Sequence, residues 1–112
     1  MQYLHNPRCS KSRQGLELLN SHGHDVEIVE YLKAPLSEAQ IAELAKKLGV
    51  DDFRDMMRTK EADYKALALK DAEQNALVAA MASHPKLIER PVLINGDKAI
   101  IGRPPEQLLD IV

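Results

Sequence analysis

The sequence predicts an α/β fold: a mixed four-stranded sheet with a helical region inserted into it. Three observations carry this. A short apolar segment at the start is followed first by helical and then by strand periodicity, the order of a βαβ unit. The middle of the chain keeps a helical period. Near the end, an Asn95-Gly96 pair between two apolar runs signals a hairpin, and a last helical segment follows it.

The elements follow in order. "QYLH" is apolar enough for a strand, and Pro7, which cannot donate to a ladder, ends it. Helical character begins near Ser10 to Ser12, puts Leu16 and Leu19 on one face and stops at Gly23. "DVEIVEY" alternates and is rich in β-branched residues, so it reads as a second strand, parallel to the first through a right-handed crossover. Ser37 and Gln40 match a capping box ahead of Ile41, Leu44, Ala45 and Leu48, with Gly49 as the stop. "DDFRDMMR" reads as a short helix and "TKEADYKALALKD" as a charged connector. Asp71 and Gln74 are read as capping a helix through Leu77, Val78 and Met81 that stops before Pro85. "VLINGDKAII" is the hairpin. "GRPPEQLLDIV" is a turn and a final helix, with Pro105 in the first turn, where its missing N–H is no loss. The order β-α-β, helices, β-β-α is that of a thioredoxin-like mixed sheet with an inserted helical region, read as a single domain over residues 1–112.

Composition bounds the function. At 112 residues, 45% apolar and 4% aromatic, the chain suits one aliphatic core. A formal net charge of −2 gives no general attraction to nucleic acid or anionic membrane, so any cationic site must be local. One cysteine forms no internal disulfide, and neither a signal peptide nor a membrane-spanning run is present, so the expected location is the cytoplasm. Four scattered histidines and one cysteine offer no metal-ligand spacing, and no metal is expected.

That cysteine, Cys9, stands in "HNPRCSKSR" between a strand and a helix. A free cysteine is most often a small buried hydrophobe. Here Arg8, Lys11 and Arg13 surround it, and the free N–H groups and dipole of a helix N-terminus favour an anion at that junction. An ordinary thiol, with a pKa of about 8.5, is only about 3% thiolate at neutral pH, and both influences raise that fraction. Ser10 and Ser12 add hydroxyls near the sulfur. The position of the second cysteine in a C-x-x-C motif is Ser12, so a redox-active Cys9 must be resolved by an outside thiol. His5 reads equally as a residue that orients the loop or as the polar end of a strand. Three further arginines, Arg58, Arg90 and Arg103, have apolar neighbours, unusual for a solvated cation, and arginine forks bind tetrahedral oxyanions well.

"HNPRCSKSR", "RDMMRTKE", "HPKLIERP" and "IGRPPEQLLDIV", together spanning almost the whole chain in order, resemble the glutaredoxin-linked arsenate reductase family, in a short branch of it. The resemblance implies that the Cys9 thiolate attacks arsenate, that Arg58, Arg90 and Arg103 hold the oxyanion, and that His5 and Ser12 tune the thiol. It also implies glutathione as co-substrate, glutaredoxin as partner and no tightly bound cofactor. Pro91 falls where such folds usually place a cis bond beside the thiol. Two features depart from the best-known members: residue 8 is Arg where they have a small residue, and the chain stops at Val112, short of their length. Two other functions stay open. One is a related thiol oxidoreductase with another substrate. The other is a redox-sensing regulator that binds RNA polymerase, against which Ser12 argues, since such sensors usually carry C-x-x-C.

Overall fold

In the computed structural model, which describes all 112 residues, contacts divide the chain into two compact units. One joins Met1–Ala34 to Arg90–Val112; the other is Pro35–Glu89.

The first unit holds the sheet. Strand β1 (Gln2–Leu4) pairs in parallel with β2 (Glu27–Val29) and antiparallel with β3 (Val92–Asn95), which pairs with β4 (Lys98–Ile101). The order is β2-β1-β3-β4, the predicted mixed four-stranded sheet. Tyr3 and Leu4 point to opposite faces of β1, and both are buried. The second strand is shorter than its alternation suggests, because it lies at the sheet edge with Glu27 and Ile28 exposed. The hairpin turn also falls one residue later than expected. Asn95 pairs with Lys98, so the two-residue loop is Gly96-Asp97, and the positive φ of 63° at Gly96 gives a type II′ pattern, in which glycine takes the first loop position.

Helix α1 (Ser10–Ser21) crosses from β1 to β2 and ends in a Schellman pair, Gly23 N–H to the Asn20 carbonyl and His24 N–H to the Leu19 carbonyl. Its buried stripe is Ser12, Gly15 and Leu19, with Leu16 at the flank. Tyr3, Leu19, Leu93 and Leu108 form the core between this helix, the sheet and the last segment, Pro105–Ile111. That segment is a 3₁₀ rather than an α-helix, with Pro105 in its first turn as expected.

The second unit is helical. The capping box at Ser37 and Gln40 forms in full and starts α2 (Glu38–Leu48), which Gly49 ends. Phe53–Met56 is a 3₁₀ turn. The stretch read as a charged connector instead contains α3 (Ala62–Ala66) and a 3₁₀ turn at Leu69–Asp71, because Tyr64 and Leu69 are buried and anchor it. Helix α4 (Gln74–Ser83) begins after Glu73, not at Asp71. Gln74 does not cap it: its side chain accepts from the Phe53 N–H and donates to Asp52. Asp52 also takes the Arg54 N–H and guanidinium, and Arg54 reaches the Leu69 carbonyl at 2.9 Å, so one carboxylate and one arginine tie together the turns around α4.

Gly15 marks the tightest approach in the first unit. A Cβ there would lie 2.5 Å from the Tyr3 hydroxyl and 2.7 Å from a Leu108 methyl. Gly15→Ala should therefore lower stability by about 1–3 kcal/mol, the scale of core overpacking, despite the better helix propensity of alanine. Urea unfolding that shows the variant as stable as the parent would contradict this packing.

Candidate active site

The loop after β1 is built by short-range hydrogen bonds. His5 N–H still pairs with the Val29 carbonyl at 2.9 Å, so the ends of β1 and β2 lie side by side. The Asn6 side chain then accepts from Arg8 N–H, its carbonyl accepts from Cys9 N–H, and the Arg13 guanidinium donates to the Pro7 carbonyl at 2.9 Å. Arg13 N–H closes the first helical bond onto the Cys9 carbonyl, leaving Cys9 at the N-cap of α1 with an extended backbone and a partly exposed side chain.

Ser12 pins this loop. It is fully buried. Its hydroxyl accepts from the Asn6 N–H at 3.0 Å and lies 2.9 Å from His5 Nδ1, while its carbonyl accepts from the Tyr3 hydroxyl at 2.6 Å. The serine hydroxyl, expected near the sulfur, is thus occupied on the other side; what Ser12 turns toward the thiol is its backbone N–H.

Burial pushes the Cys9 thiol up, yet its pKa lies below the ordinary value. The backbone N–H of Ser12, the Arg90 guanidinium and the N–H of Lys11 outweigh burial by stabilising the thiolate. The sulfur closes no side-chain cap of regular hydrogen-bond geometry, so these amides act through N–H dipoles directed at it. The guanidinium that acts on it is that of Arg90, far away in sequence. His5 is buried and its pKa is lowered, first by burial, with Glu30 opposing and Arg13 assisting.

Arg90 precedes Pro91 across a cis bond, and Arg103 precedes Pro104 across another. The two arginines are linked, since Arg103 Nε donates to the Arg90 carbonyl at 2.8 Å and Gly102 N–H to the Pro91 carbonyl at 2.8 Å. The first unit therefore brings Arg90 to Cys9, sets His5 against Ser12 in the loop beside it, and ties Arg103 to the Arg90 main chain. Arg58 belongs to the second unit. There its N–H meets the Leu87 carbonyl, and its guanidinium pairs with Glu61 at 2.9 Å and lies 4.0 Å from Glu89.

The family model described as "ArsC family" matches residues 4–111. The chain belongs to the ArsC family. It is 52% identical to an arsenate reductase of Haemophilus influenzae over 110 residues, covering 96% of this chain and 95% of that one. It is 50% identical to the uncharacterised protein YfgD of Escherichia coli, covering 96% and 92%. Among solved structures, an arsenate reductase from Vibrio cholerae superposes with a TM-score of 0.96 at 45% identity, covering 99% of this chain and 96% of that one.

Within this ArsC-family chain, two supports of the site were missing from the reading by motif. Asn6 carried a signal, for an asparagine two residues before a loop amide commonly forms an Asx-turn. Tyr3 carried none, because its role depends on Gly15 letting its hydroxyl reach the first turn of α1.

Two outcomes follow from these shifts. Thiolate absorbance against pH should place the Cys9 midpoint below the usual thiol value of about 8.5, and Arg90→Gln should move it up. His5 holds its proton less tightly folded than unfolded, so the unfolded state binds more protons as pH drops. Stability should therefore fall as pH decreases below about 6.5, and His5→Asn should flatten part of that slope in urea titrations at several pH values.

Proposed function

We propose that this ArsC-family chain is an arsenate reductase in which Cys9 is the nucleophile. The observation that carries the reading is the lowered thiol of Cys9 at the N-terminus of α1 with the Arg90 guanidinium acting on it. A thiolate favoured by a fixed cation suits attack on a tetrahedral oxyanion, since the cation offsets the anion's charge as the sulfur approaches. Support comes also from the near full-length similarity to arsenate reductases.

The Cys9 thiolate attacks arsenic and one oxygen leaves as water, giving a sulfur–arsenic adduct at the same oxidation state. The thiol of glutathione then attacks the Cys9 sulfur of the adduct. The electron pair of the sulfur–arsenic bond stays on arsenic, which is reduced from the +5 to the +3 state and departs as arsenite, and Cys9 is left in a mixed disulfide with glutathione. Glutaredoxin removes the glutathionyl group and regenerates the thiol. Ser12 offers no second sulfur, so the resolving thiol comes from outside, which is why the cycle needs glutathione and glutaredoxin and fits the cytoplasm. Arg90 holds the oxyanion, and Arg103, bonded to the Arg90 main chain, fixes its partner and adds charge. Arg58 is assigned to the same anion by its motif, and to serve it the guanidinium exchanges Glu61 for substrate. His5 and Ser12 hold the nucleophile loop in register.

A coupled assay with arsenate, glutathione, glutaredoxin and NADPH tests this. Cys9→Ser should abolish turnover in a folded protein, because a hydroxyl is almost un-ionised at neutral pH; activity at the parental rate would end the thiol mechanism. Lysine substitutions at Arg58, Arg90 and Arg103, tested singly, should each lower kcat/KM about ten- to a hundredfold, because lysine keeps the charge but loses the planar fork. Unchanged kcat/KM in all three would remove the arginines from the anion site.

A further inference from the structure

A cleft adjoins the nucleophile loop in the first unit, with a volume of about 220 Å³. One wall is His5, Asn6, Pro7 and Arg8, the residues just before Cys9; the other is Glu30, Leu32 and Lys33, just after β2. The fold makes this cleft. The bond from His5 N–H to the Val29 carbonyl sets the two strand ends abreast, and the turn after β2 is closed by Lys33 and Ala34 N–H groups on the Glu30 carbonyl. Crevices beyond the carboxyl ends of parallel strands are where open α/β sheets bind ligands.

Its charges form a pattern. Arg8 is exposed and forms no ion pair, although it stands next to the nucleophile. Lys33 leans on Glu30 at 3.6 Å from a side chain that is 79% exposed, an arrangement that yields easily to a ligand. Pro7 and Leu32 supply an apolar floor. One carboxylate and two cations around an apolar strip match a group that carries an ammonium and a carboxylate on one carbon, with methylenes behind it.

We propose that this cleft binds the γ-glutamyl end of the thiol co-substrate, with Glu30 receiving the ammonium, Arg8 and Lys33 the carboxylate, and Pro7 and Leu32 the methylenes. At about 220 Å³ the cleft is smaller than the roughly 300 Å³ at which pockets for whole small molecules begin, which fits one arm of a tripeptide and leaves its cysteine free to reach Cys9. The inference rests on the reading that glutathione supplies the electrons, and it is tested by a reaction that needs no arsenate.

In that reaction the Cys9 thiolate attacks glutathione disulfide, forming a Cys9–glutathione disulfide and releasing one glutathione thiolate. The rate constant is compared with that for the uncharged bis(2-hydroxyethyl) disulfide, so that changes in thiol ionisation cancel in the ratio. Arg8→Glu and Glu30→Gln should each lower the glutathione-to-uncharged ratio about fivefold, the upper scale of an exposed ion pair. Lys98→Glu, at the far edge of the sheet, should leave the ratio unchanged. Glu30→Gln is the discriminating variant. Removing a negative charge speeds attack on an anionic disulfide if only general electrostatics operate, so a rise in its ratio, or no change in either variant, overturns the proposal. In the arsenate assay the same two variants should raise KM for glutathione and leave KM for arsenate unaltered. A lowered disulfide ratio in a protein that reduces no arsenate would refute the reductase reading and uphold the cleft. Arsenate turnover with an unaltered glutathione KM would do the reverse.

Discussion

The buried side chain and carbonyl of Ser12 are the constraint on which the rest of the site depends. Three groups converge there: the Asn6 amide and the His5 ring on the hydroxyl, and the Tyr3 hydroxyl on the carbonyl. Each is a polar group withdrawn from water, so losing any one partner leaves an unsatisfied atom, at a cost of about 1–3 kcal/mol. The chain therefore has little choice about where the first turn of α1 lies relative to β1. The backbone amides of Lys11 and Ser12 that face the thiol are held as a by-product of that fixed turn.

From this anchor the electrostatics follow in layers. Burial works against the thiolate; amides and a guanidinium work for it, and the second influence wins. The winning cation is itself held. Arg103 reaches back to the Arg90 carbonyl, and Gly102 to the Pro91 carbonyl, so the segment carrying Arg90 is tied to the turn that follows the hairpin. Preorganised charge of this kind needs no rearrangement when a second anion arrives. Arg58 differs, being matched by carboxylates within its own unit, so that any anion it takes must compete with Glu61.

Much of the fold was legible because local signals and global arrangement agree. The capping box at Ser37 and Gln40 has one physical meaning, and it formed. The strand order follows from one helix between two strands and one tight hairpin. Charged stretches misled where a few apolar residues decide the outcome: Tyr64 and Leu69 are enough to fold a segment whose composition reads as a connector. At the site, Cys9 was legible from its junction position, whereas the origin of its activation was not. The cations nearest in sequence are conspicuous but point elsewhere, Arg13 to the Pro7 carbonyl and Arg8 to the cleft behind the loop. The cation that matters arrives from residue 90, a tertiary contact that sequence spacing does not encode. Ser12 was read for its hydroxyl, whereas its amide faces the sulfur.

The pairing of β1 between β2 and β3 also bears on how the protein is made. Residues 1–34 leave the ribosome first, but the central strand lacks one neighbour until residues 92–95 follow, after all of Pro35–Glu89. Chains fold progressively as they emerge, and long-range strand pairing comes late. The nucleophile is thus translated well before the guanidinium that activates it, with the whole of Pro35–Glu89 in between. A nascent or truncated chain carries Cys9 without Arg90, and so with a thiol closer to ordinary reactivity. Full reactivity appears only when the segment that carries Arg90 is in place, which ties the chemistry of this cysteine to a strand pairing that forms late.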